Sequence, residues 1–200
     1  MQRSMLTSLI AVVFMTVVFG LAYPLAFTGV AQVLFPGKAD GSKITEDGRV
    51  VGSSLIAQKF TRNGKPDKRY FQPRPSQTGY DPSVTFFSNL GPNSKSEKRK
   101  VKFRLADYLK LNRPYDPGLT AADVPVDAIT QSASGVDPQI SQANARIQAH
   151  RVAAIRNLSL PQVDSLISDH TDGRFLGVFG EPGVNVLELN LALDKEAPLK

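Results

Sequence analysis

The sequence predicts an α+β protein in which one N-terminal transmembrane helix precedes a small extracytoplasmic domain with antiparallel hairpins and a helix pair. Three observations support this fold class: an uncharged apolar run near the N-terminus, turn signals between short β-favouring segments, and helical spacing of apolar residues further on. The 200 residues are 42% hydrophobic and 21% charged, within the range of globular proteins. We therefore expect an N-terminal segment at 1–37 and a soluble domain at 38–200.

The apolar run covers residues 5–27, and residues 4–37 contain no Asp, Glu, Lys, Arg or His. A helix of that length is about 35 Å long, which is enough to cross a hydrocarbon core of about 30 Å. Pro24 is expected to kink or end the helix near the far interface. The alternative is a cleaved signal peptide, because residues 29–31 resemble a cleavage site, but the run exceeds the usual length of a signal h-region.

Arg3 is the one charged residue before the apolar run. The positive-inside bias holds such a residue in the cytoplasm. The soluble domain is therefore expected to face the extracytoplasmic side.

The first half of the soluble chain combines turn signals with one helix. Asp47-Gly48 lies between two β-favouring stretches in residues 44–51 and predicts a tight hairpin. Residues 53–60 predict a brief helix capped by a serine. Residues 72–93 are rich in Pro, Gly, Ser and Asn, which excludes a regular helix or central strand. Residues 96–111 return to helical spacing.

The second half predicts a helix pair followed by a hairpin. Asp137 as N-cap and Pro138 as first residue predict a helix that ends near Asn157. Ser159 and Gln162 form a capping box for the next helix. Residues 174–180 and the alternating leucines of 187–193 predict a half-buried antiparallel hairpin.

Several classes of chemistry lack their residues. The chain has no cysteine and two histidines, so a thiolate zinc site and a cluster of imidazoles are excluded. No phosphate-binding glycine loop occurs, so the chain is not a stand-alone ATPase. The basic residues of 95–102 lack interleaved aromatic residues, which argues against nucleic-acid binding. No catalytic residue and no metal ligand is assigned.

Residues 131–141 (QSASGVDPQIS) are the most distinctive segment of the chain. Small residues bring a backbone turn with free N–H groups to a predicted helix start, a geometry that can hold an anion or a carboxylate of a partner. The alternative is a hydroxyl-rich N-cap, which is favoured because a capped helix needs the same residue types.

In combination and order, several segments resemble the C subunit of the Kdp potassium-transporting P-type ATPases. They are the apolar span, 52–60 (GSSLIAQKF), 70–76 (YFQPRPS), 88–93 (SNLGPN), 132–141, 148–153 (QxxRVA) and 180–187 (GEPGVNVL). The resemblance covers nearly the whole chain. The chain departs from it at Ala133, where the family has glycine, and after Pro92, where it is one residue short. A methyl group at Ala133 matters if the backbone there needs a positive φ.

The resemblance implies a non-catalytic accessory subunit of an ATP-driven, high-affinity potassium uptake pump in the bacterial inner membrane. Its partners would be membrane lipid, a channel-like subunit that selects potassium and a subunit that hydrolyses ATP. The family is described as a catalytic chaperone that raises ATP affinity, and contact with ATP is expected only through the hydrolysing subunit. The candidate functional residues are Ser132, Ser134, Gly135, Asp137, Pro138, Ser141, Gln148 and Arg151. The alternative is an extracytoplasmic binding module or enzyme, tethered or cleaved.

Overall fold

The computed structural model describes residues 2–84 and 86–199. The chain forms two compact units, the first ending at Val51 and the second beginning at Gly52.

The first unit consists mainly of one long apolar helix. It comprises α1 (Gln2–Val17), a π-helical segment (Val18–Ala22) and α2 (Tyr23–Leu34). None of the described side chains in it is buried. By length and composition this helix can cross a membrane.

A kink at Pro24 or the end of the helix was predicted, and the helix does not end there. The π-helical segment directly precedes α2, in which Pro24 is the second residue. Proline lacks an N–H group and its ring crowds the carbonyl four residues earlier. The wider π turn accommodates this break in the hydrogen-bond ladder, so the helix continues to Leu34.

A short helix and a hairpin follow. Helix α3 (Pro36–Ala39) leads into β1 (Lys43–Glu46) and β2 (Arg49–Ser53). Asp47 and Gly48 have φ angles of 48° and 75°, and both are the left-handed values that a two-residue hairpin turn requires. The predicted hairpin is confirmed.

The predicted brief helix at 53–60 is wrong. The Ile56 N–H group bonds the Ser53 carbonyl and closes a single turn. The Ala57 N–H group then donates to the Val136 carbonyl, 2.8 Å away. This distant pairing removes the amide that a continuing helix would need. A small hairpin follows, formed by β3 (Thr61–Arg62) and β4 (Lys65–Pro66).

Among the described residues, 67–93 contain no helix or strand, as the proline-rich composition predicts. The Ser94 side chain then caps α4 (Lys95–Asn112), within one residue of the predicted bounds at either end. Its half-buried face packs on a small core of Leu119, Val124 and Ala128. The opposite face carries most of the basic residues of 95–102.

The rest of the second unit is a three-stranded antiparallel sheet with helices. Strand β7 lies between β5 and β6. The elements are α5 (Val126–Ile129), β5 (Gln139–Ile140), α6 (Gln142–Arg156), α7 (Leu160–Asp169), β6 (Thr171–Asp172), β7 (Gly183–Asn185) and α8 (Val186–Glu196).

The predicted helix start at Asp137 and Pro138 is wrong. The backbone at Gln139 and Ile140 pairs with β7, and Ser141 caps α6 by accepting from the Asn144 N–H group. Sheet pairing therefore displaces the helix start by four residues, although the local signal favours a helix. The helix ends where predicted, because Asn157 adopts the left-handed conformation that closes it. The capping box of Ser159 is confirmed.

The predicted strand at 187–193 is also wrong, because these residues form α8. The Asn185 side chain accepts from the Glu188 N–H group and starts the helix. Leu189 and Leu193 are four residues apart and both buried, so these two leucines lie on one helical face. Residues 174–180 form a short hairpin loop by themselves, with Phe175 bridged to Phe179.

The main core lies between α6, α7, α8 and β7. Its buried side chains include Phe71, Val152, Val163, Val184 and Leu189. Phe71 belongs to the irregular segment, and its burial fixes that segment against the helices. Helices α6 and α7 pack on each other within this core, which confirms the predicted helix pair.

Candidate functional site

The turn at 132–137 uses its own serines to bind its backbone. The buried Ser132 Oγ accepts hydrogen bonds from the N–H groups of Gly135 (3.1 Å) and Asp137 (3.2 Å). The Ser134 Oγ accepts from the Val136 N–H group at 3.2 Å. These three amide groups are therefore engaged within the turn and are not available to an anion.

Asp137 forms an ion pair instead of capping a helix. Its Oδ2 lies 2.9 Å from an Arg74 guanidinium nitrogen, and its Oδ1 accepts from the Gln139 N–H group at 3.1 Å. The next carbonyl, that of Pro138, accepts from the Val186 N–H group at 3.0 Å. These bonds attach the turn to residue 74 on one side and to the start of α8 on the other.

Gly135 is the one candidate residue whose backbone demands glycine. Its φ angle is 78°, and an added Cβ would lie 2.8 Å from Thr78 Oγ1. Both the conformation and the space therefore exclude a side chain. Ala133, by contrast, is exposed and is not among the described residues with positive φ. Its methyl group is accommodated without strain.

Ser141 connects the start of α6 to the preceding short helix. Its N–H and Oγ–H groups both donate to the carboxylate of Asp127, at 2.9 and 2.8 Å. Asn144 donates to the same carboxylate at 3.0 Å. One acid thus fixes the first turn of α6 in place.

Two side-chain amides hold an irregular segment, residues 67–76, which we call the strap. The Gln148 amide accepts from the N–H group of Gln72 (2.8 Å) and donates to its carbonyl (3.0 Å). The Asn190 amide does the same for Phe71, at 2.9 and 3.0 Å. Each amide satisfies both polar groups of one residue, as a neighbouring β-strand would.

Arg151 is fully buried and binds only neutral oxygen atoms among its hydrogen-bond acceptors. Its guanidinium donates to the Asn112 side chain (3.0 Å), the Gln148 side chain (2.8 Å) and the carbonyls of Lys68 and Tyr70. Burial lowers the pKa of Arg151 from its usual value to about 10, so it stays charged at neutral pH. Its role in the fold is to fasten the beginning of the strap to α6.

A second buried arginine, Arg156, fastens the strap to α8. It pairs with Asp194 at 2.7 Å, and its guanidinium lies 4.7 Å from the ring centre of Tyr70. The Tyr70 hydroxyl donates to the same carboxylate at 2.9 Å. Burial raises the pKa of Tyr70, which keeps its hydroxyl protonated as a donor.

The structure brings the candidate residues into two groups. One is the turn with Ser132, Ser134, Gly135, Asp137 and Pro138. The other, on α6, contains Ser141, Gln148 and Arg151, joined by hydrogen bonds through Asn144 and Asp127. Both groups bind the strap, the first at Arg74 and the second at residues 68–72.

Sequence reasoning missed Asn144, Asn190, Asp127, Asn112 and Arg74. A signal existed for Asn144, because it lies one helical turn before Gln148 on the inward face of α6. Asn190 carried no such signal, since the predicted strand placed it on the outer face between leucines.

Within the described part of the chain, no group of three or more His, Asp or Glu residues is arranged to hold a metal ion. His170 Nδ1 lies 2.8 Å from the Leu166 carbonyl at the end of α7. The candidate residues are instead joined by hydrogen bonds to one another and to the strap, and we call this arrangement the polar framework.

The structure defines a class of protein with one long apolar helix, able to cross a membrane, and one small α+β unit that contains this polar framework. The chain matches the family model described as K+-transporting ATPase, c chain, over residues 5–195. It is 48% identical to the potassium-transporting ATPase KdpC subunit of Mycobacterium tuberculosis, over 98% of this chain and 100% of the relative. The same subunit of Rhodospirillum rubrum is 46% identical, over 100% and 99%, and that of Myxococcus xanthus is 48% identical, over 98% and 89%.

The chain belongs to the KdpC family, whose members are accessory subunits of a potassium-transporting ATPase. The family predicted from the sequence motifs is confirmed.

Proposed function

We propose that this chain is the non-catalytic subunit of an ATP-driven potassium uptake pump and that it assembles and stabilises the complex. The observation that carries the proposal is its similarity, over nearly the whole length of both chains, to relatives named as this subunit. Its partners are a channel-like, potassium-selecting subunit and an ATP-hydrolysing subunit of the same pump.

The apolar helix is the proposed anchor in the bacterial inner membrane. Residues 1–37 form the membrane segment and residues 38–200 the domain that faces the extracytoplasmic side, with Arg3 retained in the cytoplasm. The small residues Thr16, Gly20 and Ala22 permit close approach of partner helices. The spanning helix is supported by its length and its exposed apolar surface. The orientation is supported by Arg3, the one charged residue before the apolar run.

The candidate residues have a structural task in this proposal. Gln148 and Arg151 hold the strap, and the turn at 132–137 holds Arg74. The strap and the turn thereby keep one conformation in which other subunits recognise them. ATP is bound by the hydrolysing subunit, because this chain contains no phosphate-binding loop.

Co-purification from detergent-solubilised membranes tests the proposal. With an affinity tag on this chain, the potassium-selecting and ATP-hydrolysing subunits are expected to co-elute in constant ratio with potassium-stimulated ATPase activity. Elution of this chain alone, from membranes in which the other subunits are present, would refute the role in assembly.

A C-terminal reporter tests the orientation. Alkaline phosphatase fused after residue 200 is expected to be active, and a fluorescent protein that folds only in the cytosol is expected to stay dark. Reversed signals would place the domain in the cytoplasm. A mature protein beginning at Gln32 would show instead that the apolar run is cleaved.

The site is tested by comparing activity with stability. Gln148→Ala is expected to lower pump assembly in proportion to the stability that the subunit loses. If pump ATPase activity falls while stability and assembly are unchanged, the residue contacts a partner or nucleotide directly.

A further inference from the structure

The loop between β6 and β7 presents an apolar tip to solvent. We call residues 175–179 the hairpin tip. Four of its five residues carry large, apolar side chains that are between 63% and 76% exposed: Phe175, Leu176, Val178 and Phe179. Most monomeric proteins scatter such side chains, and a contiguous group marks a surface that binds something apolar.

The hairpin tip is held in shape by hydrogen bonds. Phe175 and Phe179 exchange two backbone bonds of 2.8 and 2.9 Å. The N–H groups of Gly177 and Val178 also donate within the loop, at 3.0 and 3.2 Å. At the base, an Arg174 nitrogen lies 2.9 and 2.8 Å from the two carboxylate oxygens of Glu181.

Leu176 has a φ angle of 53°, a left-handed conformation that is unusual for a large side chain. The loop therefore displays its apolar side chains in spite of local strain. Burial in the core does not explain this display, because the side chains are about two-thirds exposed.

We propose that the hairpin tip inserts into the interfacial layer of the lipid bilayer that holds the anchor helix. The proposal rests on the proposed membrane anchoring. Four of the five N–H groups of the tip are already bonded within the loop, which lowers the cost of moving this backbone into an apolar phase. Phenylalanine and leucine suit the depth at which interfacial segments lie.

The size of the patch favours lipid over a protein partner. A phenylalanine side chain buries roughly 150–250 Å², so four large side chains about two-thirds exposed offer roughly 400–600 Å². A stable protein interface takes about 800 Å² from each partner and a matching surface. A bilayer has no such requirement, because each apolar side chain that enters it is buried independently.

The charges around the hairpin tip agree with insertion into neutral lipid. Residues 175–179 carry no charge, and Arg174 at their base is paired with Glu181. The residues between the anchor helix and the second unit, 35–51, extend at most roughly 60 Å, which keeps the second unit near the bilayer that holds the helix.

A single tryptophan tests the insertion, since the chain has none. Phe175→Trp places the probe on the hairpin tip. Phe103→Trp is the matched control on α4, because the two phenylalanines are 71% and 68% exposed. Each full-length variant is reconstituted alone in phosphatidylcholine vesicles, with and without bromine on the acyl chains. Far-UV circular dichroism verifies that both fold.

We expect Phe175→Trp to show blue-shifted emission and several-fold stronger quenching by brominated lipid than Phe103→Trp. Adding Leu176→Asp and Val178→Asp to the Phe175→Trp chain is expected to abolish both effects, because charged side chains resist entry into lipid. Water-like emission from both probes, equal quenching of both, or quenching that survives the aspartates would overturn the proposal.

Two further outcomes separate this proposal from its rivals. If the emission of Phe175→Trp shifts only after the complete pump is reconstituted, the hairpin tip seats in a partner protein and not in lipid. Alkaline carbonate extraction tests separately whether the apolar helix anchors the chain in the vesicles. Release of the chain from the vesicles refutes the anchoring and the insertion together, whereas a retained chain with a water-exposed tip probe refutes the insertion alone.

Discussion

Arg151 is fully buried, and its guanidinium fork donates to four neutral oxygen atoms on α4, on α6 and in the strap. A planar fork can serve several acceptors in fixed directions, which a single ammonium group cannot. The charge therefore organises backbone carbonyls that no helix or strand satisfies. Its value to the fold lies in the number and geometry of these bonds.

Arg151→Lys is expected to lower the free energy of unfolding by about 3 kcal/mol, because at least two bonds from a charged donor are lost at about 1.5–3 kcal/mol each. Denaturant unfolding of the full chain in detergent measures the change. Arg146→Lys, at an exposed position of the same helix, is the control and should stay within about 0.5 kcal/mol. Equal effects of the two substitutions would contradict the assigned role.

Asp67, at the beginning of the strap, illustrates how pH acts on a single residue. The Arg69 side chain donates to this carboxylate and lowers its pKa below 3.8, against the opposing effect of burial. A carboxyl whose pKa is lower in the folded chain stabilises that state above pH 3.8. The stabilisation is lost as pH falls through the folded pKa.

We expect Asp67→Asn to cost about 1 kcal/mol at neutral pH, as partly exposed ion pairs do. The difference from the unmodified chain should shrink as pH falls below 3.8, because the Asp67 carboxyl of the unfolded chain is protonated first and that of the folded chain follows at its lower pKa. Unfolding by urea at a series of pH values measures this difference. A difference that is constant from pH 7 to pH 2.5 would exclude the Arg69 pair as the cause.

At the scale of elements, the strap has backbone groups that are bound as those of a β-strand are, although it belongs to no sheet. Phe71 and Gln72 each have both backbone polar groups bound by one side-chain amide, from α8 and α6 respectively. Proline at 73 and 75 suits such a segment, because bonding to side chains does not need every N–H group. The two helices are thus joined through an irregular segment that both bind.

Asn190→Ala leaves the N–H and carbonyl groups of Phe71 buried without their partner, and each such group costs about 1–3 kcal/mol. We expect the free energy of unfolding to fall by about 2–4 kcal/mol and trypsin to cleave after Lys68 or Arg69 more readily. Asn93→Ala, at an exposed loop position, is the matched control. Unchanged cleavage would mean that the amide bonds do not hold the strap.

The start of α6 provides a second prediction at this scale. Ser141 caps the helix and binds Asp127, so Ser141→Ala should cost about 0.5–2 kcal/mol as the loss of an N-cap. Asp137→Ala should act through Arg74 and leave the helicity of α6 unchanged. Hydrogen exchange of the first turn of α6 distinguishes the two. Faster exchange there in Asp137→Ala would restore Asp137 as the cap.

At the scale of the whole molecule, the net charge of +6 lies almost entirely beyond the apolar helix. Three exposed cations, Lys95, Lys98 and Arg99, begin the outer face of α4. A positive field of this kind repels potassium near the domain and is screened within about 10 Å at 0.1 M salt.

Replacing Lys95, Lys98 and Arg99 by glutamine is therefore expected to raise the apparent potassium affinity of the pump at low ionic strength. At high ionic strength, set with choline chloride, the variant and the unmodified pump should agree. Transport assays in cells or vesicles measure both conditions. An affinity that is unchanged at low salt would end the electrostatic hypothesis.

Several elements that depend on residues close to one another in the sequence were predicted correctly. The Asp47-Gly48 hairpin, the Ser159 capping box, α4 and the irregular segment at 72–93 each depend on residues within a few positions of one another. Helix α8 was not predicted although its cap, from the Glu188 N–H group to the Asn185 side chain, is local, because its alternating leucines favoured a strand. The strand β5 and the turn after Ser53 were not predicted, because their backbone bonds reach the distant Val184 and Val136. Local propensity is too weak to prevail over such pairing.

By itself the sequence determined the family, the long apolar helix and the residues on which the candidate site is built, since motifs and uncharged length are properties of neighbouring residues. Only the tertiary structure decided what those residues do. Ser132 closes its own turn, Asp137 pairs with Arg74, and Gln148 and Arg151 bind the strap. For Asp137, Gln148 and Arg151 the partner group comes from a part of the chain that only folding brings close. Burial then makes it costly to leave either polar group without its hydrogen bond.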